Sequence, residues 1–110
     1  MDRDIDRLTK AIVSFRDARD WKQFHNSKDL ALALSIEAAE LTELFLWKSP
    51  LQADRKRIAE ELADVLTYAL LLAHEEKLDV GRIIRAKLKA NAKKYPVAKA
   101  RGSARKYTEF

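Results

Sequence analysis

Two glycines and two prolines are all the punctuation this 110-residue chain carries. A β-sandwich or barrel turns back on itself every several residues and draws on glycine and proline to do so. With so few, the chain has to run in long helices, and the apolar residues agree. Ile5, Leu8, Ile12, Phe15 and Ala18 recur at three- and four-residue steps across residues 3–20, the spacing of one face of an amphipathic helix. The stretch DWKQFHNSKD (20–29) breaks that period and reads as a loop with a short turn, ending at a cap on Ser27 or Asp29.

Leu30, Leu34, Leu41 and Leu44 then share a stripe, so a second helix is expected from Leu30 to Trp47. Pro50, with Ser49 as a cap ahead of it, opens the way to a third helix from Leu51 or Asp54 to Lys77. Asp79 caps a fourth from Val80 to Lys94, which Pro96 ends. The closing VAKARGSARKYTEF has no period and reads as an arm. The expected organisation is one all-α domain, with a four-helix bundle over 1–96 and a basic C-terminal arm over 97–110. From Leu62 to Ala73 the third helix is apolar nearly all round, which in so small a domain calls for cover by a second subunit.

Without cysteine there are no disulfides and no thiolate metal sites. The opening MDRDIDRLTK lacks the apolar core of a signal peptide. The longest apolar run, LADVLTYALLLA, falls short of the roughly 20 residues a membrane span needs. These features suit a soluble, cytoplasmic protein. Its net charge of +5 conceals an uneven distribution. Residues 1–81 hold 12 Lys or Arg against 16 Asp or Glu, and residues 82–110 hold 10 against one. An acidic body with a basic end fits two kinds of partner: a nucleic acid held by the tail, or a single phosphate ligand served by both signs, carboxylates holding a metal and cations the phosphate oxygens.

The carboxylates favour the second. In SIEAAELTELF (35–45), Glu37, Glu40 and Glu43 fall at three-residue steps, and EELADVL (60–66) contributes Glu60, Glu61 and Asp64. Residues three apart share a helix face. Glu37 and Glu40 adjoin Leu34, Ile36 and Leu41, expected inward, and Asp64 stands among Leu62, Ala63, Val65 and Leu66, where it is hard to leave solvated. Acids on an exposed helix face would give the same spacing. If the second and third helices pack antiparallel, however, Glu37 and Glu40 meet Glu61 and Asp64, and a divalent cation relieves their repulsion. All-oxygen ligation suits Mg²⁺ or Mn²⁺ rather than zinc. A di-iron carboxylate bundle would need Glu-x-x-His, but Lys22 and Leu71 stand three before the only histidines, His25 and His74.

With these motifs in order, the chain resembles the all-α nucleoside triphosphate pyrophosphohydrolases of the MazG type, and among them the dCTP pyrophosphatase branch. The likeness is carried by RDARDWKQFH (16–25), ALSIEAAELTELFLWK (33–48), EELADVLTY (60–68), KLKANAKKYP (87–96) and RGSARKYTE (101–109). It implies hydrolysis between the α- and β-phosphates of a nucleotide, for nucleotide-pool house-cleaning. It also implies Mg²⁺ on Glu37, Glu40, Glu61 and Asp64, and a homotetramer built as a dimer of dimers. One departure bears on the base. Nine residues before Trp21, where the branch carries histidine, this chain has Ile12. The loop between the second and third helices, KSPLQADRK, is also shorter.

Mg²⁺ would bridge phosphate and carboxylate oxygens, and one free carboxylate would take the attacking water's proton. Glu37, Glu40 and Glu61 are all candidates for that base, with Glu60 a weaker one. Lys87, Asn91 and Tyr95 recur at four-residue steps and could serve phosphate or sugar, supplemented by Lys94, Arg101, Ser103, Arg105 and Lys106. Trp21 and Trp47 could stack on a base, and His25 could donate to it. Each of these has a plainer use, as a solvated helix face or as packing in a core or interface. The rival function is a non-enzymatic helical bundle that binds nucleic acid through its basic tail.

Overall fold

A computed structural model describes residues 3–110. It is all-α, with no strand among the described residues. The helices are α1 (Arg3–Ala18), α2 (Ser27–Glu43), α3 (Arg55–Glu75), α4 (Val80–Lys94) and a short α5 (Val97–Ala100). Single 3₁₀ turns lie at Lys22–Phe24, Pro50–Gln52 and Tyr107–Glu109. The chain divides into two compact units, residues 1–78 and 79–110.

In the first unit, α2 packs along α3, and α1 packs on α3 as well. The α2–α3 pair is antiparallel. Ser27 at the start of α2 donates its hydroxyl proton to Glu76 beyond the end of α3, while Leu44 just past α2 shares a cavity wall with Arg57 at the start of α3. Leu30, Leu44, Leu71 and Ala73 make the buried apolar core. Leu34 and Leu41 of the same α2 stripe are half-buried.

Helix starts obey local chemistry closely. The α2 cap is Asn26, one residue before the expected Ser27. Its side-chain oxygen accepts from the Asp29 backbone N–H at 2.8 Å, and its amide donates to the Asp29 carboxylate at 2.8 Å, so Asp29 is the cap's partner rather than the cap. Asp54 and Asp79 cap α3 and α4, accepting from the backbone N–H groups of Lys56 and Arg82 at 3.0 Å. Ser49 and Gln52 form a capping box over the Pro50 turn.

Helix ends depart from the apolar pattern. The leucines and aromatics of LFLWK run on past Glu43, but the backbone tightens to three-residue bonds there, with Phe45 N–H reaching Thr42 C=O at 3.0 Å and Leu46 N–H reaching Glu43 C=O at 3.2 Å. Helix α2 therefore stops four residues short of Trp47. Helix α1 stops at Ala18 and α3 at Glu75, both closed by a residue in the left-handed region. Asp20 (φ 53°) sends the Trp21 N–H back to Arg16 C=O at 3.1 Å, and Lys77 (φ 56°) sends the Leu78 N–H back to Ala73 C=O at 2.8 Å. These are Schellman closures in which glycine would be usual.

Three burial expectations are corrected. Ile36 and Asp64 are exposed, because no other described residue covers their sectors of α2 and α3. In α1 the apolar stripe is not the buried part: Leu8 and Phe15 are more than half exposed, and the one buried residue is Arg16. Leu62 and Leu66, in the nearly all-apolar part of α3 for which cover by a second subunit was expected, are exposed in the single chain.

The second unit holds α4 and the C-terminal segment. The residues after Pro96 are not aperiodic. They form α5, turn at Gly102 (φ 73°) and return to α4, where Tyr107 and Phe110 meet the Tyr95 ring edge-on at 5.9 and 5.8 Å between centroids. Lys94 Nζ lies 5.0 Å from the Tyr107 ring centre, and Ser103 Oγ accepts from both the backbone N–H and Nε of Arg105 at 3.2 Å. No described helix is long and apolar enough to cross a membrane.

Candidate active site

The antiparallel α2–α3 pair brings together what the spacing suggested. Carboxylate oxygens of Glu37, Glu61 and Asp64 all lie within 4.8 Å of one another. Glu37 and Glu61 are half-buried and Asp64 is exposed. One oxygen on each of Glu37 and Glu61 is buried without a hydrogen-bond partner among the described residues. Buried polar atoms are ordinarily satisfied, and a carboxylate has only acceptors to offer, so these two oxygens call for a cation or a donor.

Their protonation reflects the crowding. The Glu37 carboxyl is pushed up from 4.5 to about 7, first by removal from water, then by hydrogen bonding to and repulsion from Glu40, and then by the charges of Asp64 and Glu61. Glu61 is raised by loss of water and by the charges of Glu40 and Asp64, with Arg57 pulling the other way. Glu40 thus acts on both, although its oxygens stand outside the three-carboxylate cluster. An all-oxygen set of this kind, short of positive charge, fits a hard divalent cation such as Mg²⁺ or Mn²⁺.

Among the cavities that adjoin the cluster, two are lined by candidate residues. One, of about 310 Å³, is bounded by Glu40, Glu43, Glu61, Lys48 and Arg57. Glu43 therefore lines the same cavity as two of the motif carboxylates, and so do the cations Lys48 and Arg57, which the sequence pattern did not single out. The other, of about 170 Å³ between α1 and α3, has Asp64 on its wall together with Trp21, His25, Phe15 and Tyr68. The 3₁₀ turn at Lys22–Phe24 places Trp21 and His25 there, with Phe24 N–H bonded to Trp21 C=O at 3.0 Å and His25 N–H to Lys22 C=O at 2.9 Å. Trp21 meets the Phe15 ring edge-on at 5.8 Å. Ile12 lines this cavity too.

Trp47 is fully exposed in the turn after α2, with φ at 61°. A bulky residue in that conformation is a true outlier and is held at some cost. Lys87, Asn91 and Tyr95 lie on α4 in the second unit, Lys87 exposed and Asn91 half-buried. The Tyr95 ring is already packed by Tyr107 and Phe110.

A MazG-like family model matches residues 32–110. The chain is 42% identical to dCTP pyrophosphatase 1 of Rattus norvegicus, over 96% of this chain and 67% of that protein. It is 40% identical to dCTP pyrophosphatase 1 of Homo sapiens over the same shares. The crystal structure of a pyrophosphatase from Archaeoglobus fulgidus superposes with a TM-score of 0.78 at 35% identity, covering 83% of this chain and 91% of that one. With the family model spanning both carboxylate motifs and α4, the chain belongs to the MazG-like family.

Proposed function

We propose that this chain is a divalent-metal-dependent nucleoside triphosphate pyrophosphohydrolase that cleaves a dCTP-like nucleotide to monophosphate and pyrophosphate, as a house-cleaning enzyme of the nucleotide pool. The enzyme class, a nucleotide pyrophosphatase, rests on family membership and on the dCTP pyrophosphatase and pyrophosphatase relatives. The observation that carries the reaction is the convergence of Glu37, Glu61 and Asp64, with two buried oxygens that have no hydrogen-bond partner among the described residues.

Glu37, Glu61 and Asp64 would hold Mg²⁺ or Mn²⁺, with Glu40 adjoining. The bound cation would offset phosphate charge and orient water. The water oxygen attacks phosphorus, the α–β anhydride P–O bond breaks, pyrophosphate departs, and the water's proton passes to a carboxylate that is free to receive it. Glu37, Glu40 and Glu61 remain the candidates for that base, and Glu60 stands behind them. Lys48 and Arg57 sit where they could receive phosphate oxygens. Lys87, Asn91 and Tyr95 serve phosphate or sugar in this reading. Trp21 and His25 take the base in the aromatic cavity, and exposed Trp47 supplies a second stacking face.

A homo-oligomer, by family likeness a tetramer, accounts for the apolar residues of α1 and α3 left in water, Leu8, Phe15, Leu62 and Leu66. Light scattering on the purified protein tests it, and a monomer at micromolar concentration overturns it. The reaction is tested by a panel of canonical and modified (d)NTPs with Mg²⁺, scored for monophosphate and pyrophosphate. Orthophosphate as the only phosphate product refutes α–β cleavage. Salt-sensitive binding of DNA or RNA with no turnover of any nucleotide would favour the nucleic-acid-binding bundle instead.

A further inference from the structure

The least expected side chain in the first unit is Arg16. It is 3% exposed, and its charge cannot be shed. Only part of its guanidinium is satisfied: Nε and Nη2 both donate to Oδ1 of Asp17, at 3.0 and 2.9 Å. Nη1 is buried with no partner among the described residues. Arg16 lines the 170 Å³ cavity between α1 and α3, and His25, on the wall of the same cavity, has its Nδ1 buried without a partner as well. The rest of the wall is mainly aromatic and aliphatic: Phe15, Trp21, Tyr68 and Leu71. The backbone holds the two key residues in register, since the Trp21 N–H is bonded to the Arg16 carbonyl at 3.1 Å.

A guanidinium only donates, so whatever enters must bring acceptors. Flat aromatic walls select a ring, and a triphosphate is a poor occupant of so apolar a space. A heterocycle carrying a carbonyl oxygen meets both demands. Asp64 borders the cavity and belongs to the carboxylate cluster, so the two ends of one nucleotide would fall on adjoining sites.

We propose that Arg16 is the specificity-determining residue for the base: its free Nη1 donates to a carbonyl oxygen of the nucleobase held between Phe15, Trp21 and Tyr68. The proposal rests on the nucleotide reading above and goes beyond it by naming how the base is told apart. Cytosine, uracil, thymine and guanine carry a carbonyl, and adenine carries none. A site built to bond one group discriminates against a ligand that lacks it, because its own buried donor is then left unpaired.

The test measures both binding of dNMPs by calorimetry and turnover of the matching dNTPs with Mg²⁺. In the unmodified protein, carbonyl-bearing bases should exceed adenine by at least about tenfold in affinity and in kcat/KM. Arg16→Met should lower values for the carbonyl-bearing bases by at least about tenfold, leave adenine nearly unchanged and so erase the preference. An equal loss for all five bases, adenine included, assigns Arg16 to phosphate or to folding and overturns the proposal. If Arg16→Met does not fold, the unmodified protein decides through dUMP and its 2-thio and 4-thio analogues. Sulfur accepts weakly, so one analogue should bind at least about tenfold less tightly, and equal binding of all three overturns the proposal. Turnover with no base discrimination refutes the role of Arg16 alone. Discriminating binding with no turnover refutes the hydrolase reading and leaves the role of Arg16 standing.

Discussion

The carboxylate cluster between α2 and α3 and the aromatic cavity between α1 and α3 share a helix and a residue, Asp64, yet they are built on opposite terms. The cluster is acceptors in excess: Glu37 and Glu61 each bury an oxygen with nothing to receive. The cavity is donors in excess, with Arg16 Nη1 unpartnered beside aromatic rings. Each calls for the kind of group that the other has in excess. A metal–nucleotide supplies both, a cation at one end and an acceptor-bearing ring at the other. The lesson is that unsatisfied polar atoms carry a sign, and the sign says what kind of ligand completes them.

The largest loss is expected at the cluster. Glu61→Gln keeps size and removes a charge that a metal site needs. It should reduce kcat/KM by at least about a thousandfold, roughly 4 kcal/mol at 1.36 kcal/mol per decade, and weaken Mn²⁺ binding measured by calorimetry. Retention of both takes Glu61 out of the metal site. On the cavity side the expected loss is smaller and of another kind. Trp21→Ala removes a stacking face worth about 1–3 kcal/mol and should cost roughly 10- to 100-fold in kcat/KM. Mn²⁺ affinity should stay within about twofold, since stacking lies outside the metal's coordination. A parallel fall in Mn²⁺ binding would mean that the two regions are one structural unit, not two halves of a binding site.

The two regions also differed in how far the sequence disclosed them. The cluster was legible because helical periodicity puts Glu37 with Glu40 and Glu61 with Asp64, and a short connection makes α2 and α3 antiparallel neighbours. The caps Asp54 and Asp79 were legible for the same reason, each being a local rule about a few adjacent residues. Arg16 was not. A helical wheel assigns charges outward, so Ile12 and Phe15 claimed the inward face, whereas the packed α1 buries the arginine and leaves Phe15 more than half exposed. That choice depends on how α1 lies on α3, which no spacing within α1 encodes. The early end of α2 was hidden likewise, since Leu44, Phe45 and Leu46 continue an apolar run while the backbone bonds behind them shorten by one residue.

A subtler contrast lies in pH. Glu37 titrates at about 7 when no cation is bound, against 4.5 unperturbed. Between those values the unfolded chain has released a proton that the folded chain retains, so the stability contributed by protonated Glu37 is present at low pH and is lost as pH rises toward 7. Glu61, raised in the same direction, adds to the slope. In the presence of chelator, Tm should therefore fall between pH 5 and pH 7.5 by more than in Glu37→Gln, which has no carboxyl to titrate. Saturating Mg²⁺ should remove the difference at the alkaline end, because a cation offsets the repulsion that raised the pKa. Identical pH curves for the two proteins in chelator would show that Glu37 is not strained by its neighbours.

The smallest expected effect separates backbone from chemistry. Asp20 and Lys77 close α1 and α3 in the same left-handed conformation, at φ 53° and 56°. Glycine takes this conformation without Cβ strain, so Lys77→Gly should raise stability by about 0.5–1 kcal/mol and leave both regions untouched. Asp20→Gly relieves the same strain but loses the bond from Gln23 Nε2 to the Asp20 carboxylate at 3.1 Å, while the bond from Gln23 Nε2 to the Asp20 carbonyl, at 3.0 Å, needs no Asp20 side chain. Its gain should be less than that of Lys77→Gly. It also loosens the turn that holds Trp21 against the Arg16 carbonyl, so Asp20→Gly, and not Lys77→Gly, should blunt base discrimination, by a few-fold in the ratio of carbonyl-bearing to adenine substrates. Equal discrimination in the two variants would mean that the cavity is positioned by side-chain packing on α3 alone, and that the α1 closure contributes only to stability.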